Sequence, residues 1–277
     1  MERRAVLGLA VFSILAGGCS SGPPPIKPGS PAFFWAVARE SYRTGDMVKA
    51  QSTLREISQG DNEFAARARV LHLVISAGVM KGLGDLANAY QSGSEVNPAG
   101  FRSEAANLRG MAASAALEFT QAVFEAQGAH MVLAPLSFGF PPGNTVAPIE
   151  LEKISCGTWL SDAERETLQR AMLERGVILA LTRSLGETDS LKAQALLQGA
   201  EASVEKNTFF FGMANLLYEG SDLFCAKRMG RPERQAVMCK EALETLKALP
   251  ETEETEALTA EIQSAMKKIP GLLKGGD

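Results

Sequence analysis

Four cysteines and two histidines are the side chains whose chemistry is most able to define a function in this 277-residue chain. They are Cys19, Cys156, Cys225 and Cys239, with His72 and His130. Thiols and imidazoles hold zinc when they cluster at short spacings. Here there is no C-x-x-C and no Cys/His cluster, so no metal site is expected. Cys156 as a nucleophile would need a base beside it, and no motif supplies one. His72 lies in an apolar run and reads as a packed residue. His130 stands at a loop edge. Glu150 with Glu152, and Glu164 with Glu166, are paired carboxylates by spacing, but 32 acidic residues make such pairs commonplace, and they read as solvated surface. Neither an H-E-x-x-H, a G-x-S-x-G, a phosphate loop nor a dinucleotide fingerprint occurs. An enzyme is not expected, and no catalytic residue is assigned.

Cys19 stands apart because of what precedes it. Arg3 and Arg4 open the chain, and Ala5 to Ala16 is apolar apart from Gly8 and Ser13. A charged start followed by about 12 apolar residues has the length of a signal peptide. A spanning helix needs roughly 20. Leu15-Ala16-Gly17-Gly18-Cys19 closes the run with small residues, which enter a peptidase cleft in extended form.

Residues 1–19 resemble a bacterial lipoprotein signal with its lipobox. The usual Leu three places before the Cys is replaced by Ala16, with Leu15 one earlier. The resemblance implies removal of residues 1–18 and a thioether-linked diacylglycerol on Cys19, with a further acyl group such as palmitate on its amino group. It implies no other cofactor. Each buried methylene adds about 0.8 kcal/mol, so more than one chain anchors stably. The implied location is the periplasmic face of a bacterial envelope. Ser20, rather than Asp, favours the outer over the inner membrane.

With Cys19 set aside, three thiols remain, and an exported chain meets an oxidising compartment. At most one intramolecular pair can form among them. Cys225 and Cys239 flank the turn at Gly230-Arg231-Pro232, so two antiparallel helices joined there would bring them near each other. A disulfide needs Cα atoms within about 7 Å. Two buried thiols are the other reading.

The elements around these residues read as helices. Aromatics are only 6% and Ala, Leu, Glu and Gln are plentiful, a helical composition. The net charge of −4 and pI near 5.5 argue against a general nucleic-acid binder. Residues 19–31 form a Pro-rich linker after the lipidated Cys. In 32–58, Phe34, Ala38 and Tyr42, then Gly45-Asp46, then Ala50 and Leu54 fall at helical spacing around a turn. This segment is similar to a tetratricopeptide-type helix pair, which implies stacked hairpins and a concave face. Residues 62–77 and 83–90 predict two further helices joined at Gly78, Gly82 and Gly84. Residues 99–126 predict a third, with an Ala-rich buried stripe.

The rhythm then breaks. Residues 128–160 predict a long Pro/Gly-rich loop, with Pro135, Pro141, Pro142 and Pro148 forbidding a continuous helix. Leu136, Phe138 and Phe140 either tuck into a groove of the body or contact a partner. Trp159 is placed to staple the loop down. Ser161 and Glu164 form a capping box for a helix to about 185. Another helix runs from 189 to about 202. Phe209 to Tyr218 is the most apolar helix of the C-terminal region. A basic turn follows, at Lys227, Arg228, Arg231, Arg234 and Lys240, and the last helix ends near 268.

These readings predict an all-α body of hairpins, stacked as a solenoid or as an irregular bundle, in two helical regions (32–127 and 161–277) joined by the loop. The function expected is that of a membrane-anchored scaffold that binds a partner protein, or an accessory subunit of an envelope complex. The alternative is a ligand-binding accessory lipoprotein of a transport system, with an apolar pocket walled by the loop and the Phe209–Tyr218 helix. An enclosed apolar pocket there would favour the ligand; a solid core with an open groove would favour the protein partner.

Overall fold

The structure is a computed structural model, and it describes residues 26–128, 133–197 and 202–269. Cys19 with its leader, His130 and the C-terminal tail from Pro270 lie outside the described residues. Within them the chain is all-helical and has no strand. The helices are α1 (Pro31–Arg43), α2 (Met47–Ser58), α3 (Ala65–Val96), α4 (Phe101–Gly128), α5 (Ile149–Ser155), α6 (Asp162–Ser184), α7 (Ser190–Leu196), α8 (Lys206–Ser221), α9 (Pro232–Lys247) and α10 (Glu253–Met266). A short 3-10 turn, Asp222–Phe224, links α8 to the basic turn.

The first hairpin forms as its sequence requires. Ser30 caps α1 by accepting from the Phe33 amide, and Pro31 sits in the first turn, where its missing N–H is harmless. Gly45 takes a φ of +80° to reverse the chain, a conformation that glycine adopts without steric cost. Asp46 then caps α2 through the Lys49 amide. Ala38, Tyr42, Ala50 and Leu54 are buried where the two helices meet.

Beyond that hairpin the chain does not stack neighbour on neighbour as a solenoid would. α3 packs against α2, α4, α5, α6 and α8, so the body is an irregular bundle around one central helix. Val70 to Met80 are buried without interruption, which requires neighbours on every side of a helix. α3 is long and apolar enough to cross a membrane, yet most of that stretch is buried inside the protein. It is the core.

The glycines expected to break α3 do the opposite. α3 is continuous for 32 residues, and Gly78 and Gly82 are where α6 crosses it. A Cβ on Gly78 would lie 2.5 Å from Val177 Cα, and one on Gly82 2.4 Å from Met172 O. Across the interface, a Cβ on Gly176 would lie 2.1 Å from Gly78 O. The two backbones touch, and only hydrogen atoms fit between them.

The 128–160 segment is less irregular than its prolines suggest. It includes α5, and Ile154 at the end of α5 is fully buried against the core. Leu136 is fully buried and exchanges both backbone hydrogen bonds with Ala202, at 2.9 and 3.0 Å. That antiparallel bridge also ends any helix reaching 202: α7 stops at Leu196. Phe138 is 3% exposed, with ring centroids 5.1 Å from Trp35 and 5.0 Å from Tyr42. The Tyr42 hydroxyl donates to Gly139 O at 2.9 Å, and Arg175 Nε donates to Thr145 O at 2.8 Å. Phe140 is partly buried against the same core. Of the two readings of Leu136, Phe138 and Phe140, the structure shows Leu136 and Phe138 tucked into the body, while Phe140 is only partly buried. Trp159 does staple the segment, edge-on to Phe101 at 5.0 Å and beneath the Arg165 guanidinium at 4.8 Å.

Candidate functional site

α2 and α4 both lie along α3 but make little contact with each other. A groove remains between them, with α3 as its floor. One end is a cleft of about 400 Å³ between Ser52, Arg55 and Glu56 of α2 and Glu118 of α4. The other, about 230 Å³, is bounded by Arg69 and His72 of α3 and by Ala122 and Glu125 of α4. Gln59, just past α2, borders both.

Between the two clefts runs a line of polar contacts. His72 Nε2 and Glu118 Oε1 are 2.9 Å apart, and Arg55 Nη1 is 3.8 Å from the same oxygen. Below them Gln51 Nε2 donates to Ser76 Oγ at 3.1 Å, fully buried. Arg69 Nε donates to Ser58 O at 3.1 Å. The hydrogen bond from His72 holds the Glu118 carboxyl below the ordinary carboxylate range. Partial burial opposes this, and the charges of His72 and Arg55 reinforce it.

The sequence reading of His72 as a packed residue was half the matter. It is buried, but it also pairs with a carboxylate 46 residues away. No motif announces that pair, because helix packing brings the partners together. The imidazole and carboxylate are the base-and-orienter portion of a proton relay. Among the described residues no hydroxyl or thiol hydrogen-bonds His72, and Ser76 is held by Gln51. The arrangement sets the Arg55 guanidinium and the Glu118 carboxylate side by side along an open groove.

A pH prediction follows. The carboxyl pKa of Glu118 is lower folded than unfolded, so its contribution is complete above the unfolded value of about 4.3 and is lost as pH falls through the folded value. Glu118→Gln is expected to lower stability at pH 7 and to flatten the loss of stability below about pH 4.5. Urea midpoints between neutral and acid pH check this; parallel curves for the two proteins would contradict it.

The other candidate residues are not brought together. Cys225 and Cys239 are free thiols, so the disulfide expected between them is not formed. Cys239 is buried on the face of α9 that meets α8, where its Sγ lies 3.4 Å from Ser221 Oγ. Burial pushes its thiol up. Cys225 follows the 3-10 turn and is half-buried. Cys156 is exposed. Among the described residues no three His, Cys, Asp or Glu side chains converge as a metal site would need.

The chain matches no protein-family model, no curated protein and no solved structure. The function therefore has to be argued from the groove and from the rest of the surface.

Leu136, Phe209, Met213 and Leu217, which would wall the apolar pocket of the ligand-binding alternative, are buried in the common core. α8 borders a cleft of about 410 Å³. It is lined by Phe211 and Leu249, but also by Arg183, Asn207, Asn215 and Thr255, and none of the loop residues reaches it.

Proposed function

We propose that this chain is a non-catalytic envelope lipoprotein, tethered through acylated Cys19, whose helical body binds a segment of a partner protein in the groove between α2 and α4. The observation that supports partner binding is the combination of a solid apolar core with an open, polar-lined groove. The exposed Arg55 and half-buried Glu118 give the groove both signs of charge within 4 Å, suiting a segment with charged and amide side chains. The lipobox-like sequence supports the tether. The outer membrane is favoured on the strength of Ser20.

The test has two arms. A photo-crosslinking residue at Gln59, which borders both clefts, is compared in intact cells with one at Leu191, exposed on α7. One reproducible envelope protein captured at Gln59, lost with Arg55→Glu and absent at Leu191, supports the groove. Equal capture at both sites counts against it. Radiolabelled palmitate reports the anchor: incorporation that vanishes with Cys19→Ala supports it, and unlabelled wild-type protein refutes it.

A further inference from the structure

Between Arg102 and Glu125, none of the exposed positions of α4 carries a charge. There are nine of them, spread over six turns, or about 32 Å of helix. A soluble surface is roughly one-quarter to one-third charged, so a solvated face of this size would carry two or three charges. Instead it exposes Met111, Leu117 and Phe124, the last at 61%. At its centre Gly110 has nothing within 4 Å of where a Cβ would stand, so no internal packing explains the loss of a side chain there.

Beside this face lies the basic turn between α8 and α9. α4 packs on the 3-10 turn and on α9, and the charge of Arg228 in the turn reaches Arg109 on the flank of α4. Lys227 and Arg231 are exposed, as is Arg102 at the start of α4. The nearby acids are mostly engaged: Asp222 with Arg228 at 2.8 Å, Glu118 with His72 and Arg55. Glu125 accepts from Gln121 at 2.8 Å. Glu233 is exposed at the far edge of the turn.

We propose that the outward face of α4 and the Lys227–Arg231 turn together form a membrane-docking surface that lies on an anionic lipid bilayer. Met111, Leu117 and Phe124 suit the boundary between head groups and acyl chains, the uncharged polar Ser103, Asn107, Ser114 and Gln121 between them suit its wet side, and flanking Lys and Arg suit the head groups. A second copy of the chain would satisfy the apolar stripe but would bring the basic turns together. The proposal rests on the tethered reading for its geometry. Cys19 is seven residues from Ile26, a reach of at most roughly 20 Å, so on that reading the body stays close enough for a face of it to touch the lipid.

The experiment uses the protein purified from membranes and reconstituted in vesicles containing bromine-labelled lipid, either zwitterionic alone or with about 30 mol% anionic phosphatidylglycerol. Phe124→Trp is compared with Leu191→Trp, both over the same native Trp35 and Trp159. On anionic vesicles the Phe124→Trp protein is expected to be quenched at least about twice as strongly. Lys227→Glu with Arg231→Glu, or neutral vesicles, should remove most of that excess, since each basic residue near the surface contributes about fivefold in binding. Equal quenching in a floating, palmitate-labelled protein overturns the surface and leaves the tether standing. Excess quenching in a protein without palmitate overturns the tether alone. Failure to float overturns both. A stable dimer with Phe124 shielded from lipid assigns the stripe to a second copy and overturns the proposal.

Discussion

Gly176→Ala should lower the stability of this protein by about 3 kcal/mol, near the upper end for overpacking, even though alanine is the better helix former by about 1 kcal/mol. The added methyl would fall 2.1 Å from Gly78 O and 2.8 Å from the Gly82 amide nitrogen. Both obstacles are backbone, so no side chain can swing away. α6 must lift off α3, and the contact between these two helices is among the most extensive in the molecule. Gly176→Leu should prevent folding altogether. Gly110→Ala supplies the control of opposite sign. It makes the same chemical change in a long helix but meets nothing within 4 Å, so it should stabilise by up to about 1 kcal/mol. Urea unfolding monitored by circular dichroism checks both, with an unchanged slope marking a pure stability effect. If Gly176→Ala and Gly110→Ala shift the midpoint in the same direction, the close crossing of α3 and α6 is wrong.

Phe138→Ala is expected to be nearly as damaging, at about 3–4 kcal/mol, within the usual range for a buried Phe reduced to Ala. Its ring is enclosed between Trp35 and Tyr42, so truncation leaves a cavity and unpairs two aromatic contacts. Tyr42→Phe separates the packing from the polar fastening. It removes only the hydroxyl that donates to Gly139 O and should lose about 1 kcal/mol. The pair of variants distinguishes two roles for the 133–148 segment. A structural strap predicts a large loss of thermal stability with Phe138→Ala, while the protein that remains folded keeps its crosslink at Gln59. A partner-contact loop predicts the reverse: a near-normal melting temperature and a lost crosslink.

Much of the fold was legible because it is set by local chemistry. Ser161 and Glu164 announce a capping box, and both of its hydrogen bonds are present, at 2.9 Å from the Ser161 amide and 3.4 Å from the Glu164 amide. Gly45 and Asp46 mark a turn that needs a positive φ and a side-chain cap, and they supply both. What misled was glycine in α3. Gly78, Gly82 and Gly84 are poor helix formers, and read alone they suggest a junction. The small size of Gly78 and Gly82 is a tertiary property, meaningful only when Gly176 arrives from almost a hundred residues later. The 134–144 segment misled in the same way. Its prolines correctly exclude helix, but apolar Leu136 and Phe138 look available until Phe138 is seen packed on Trp35 and Tyr42 of α1 and Leu136 bridged to Ala202. The candidate groove was barely legible. His72 and Glu118 share no spacing rule, since they belong to different helices whose register is decided by core packing.

The sequence by itself determined the helical class, the turns and the caps, because each depends on residues within a turn or two of one another. The tertiary structure alone decided that α3 is the unbroken centre, that Cys225 and Cys239 are free thiols, that Leu136 and Phe138 of the proline-rich segment are buried, and that Arg55, His72 and Glu118 share a groove. Those outcomes depend on which surfaces meet across long stretches of chain, and close packing selects among arrangements that local preference leaves equal.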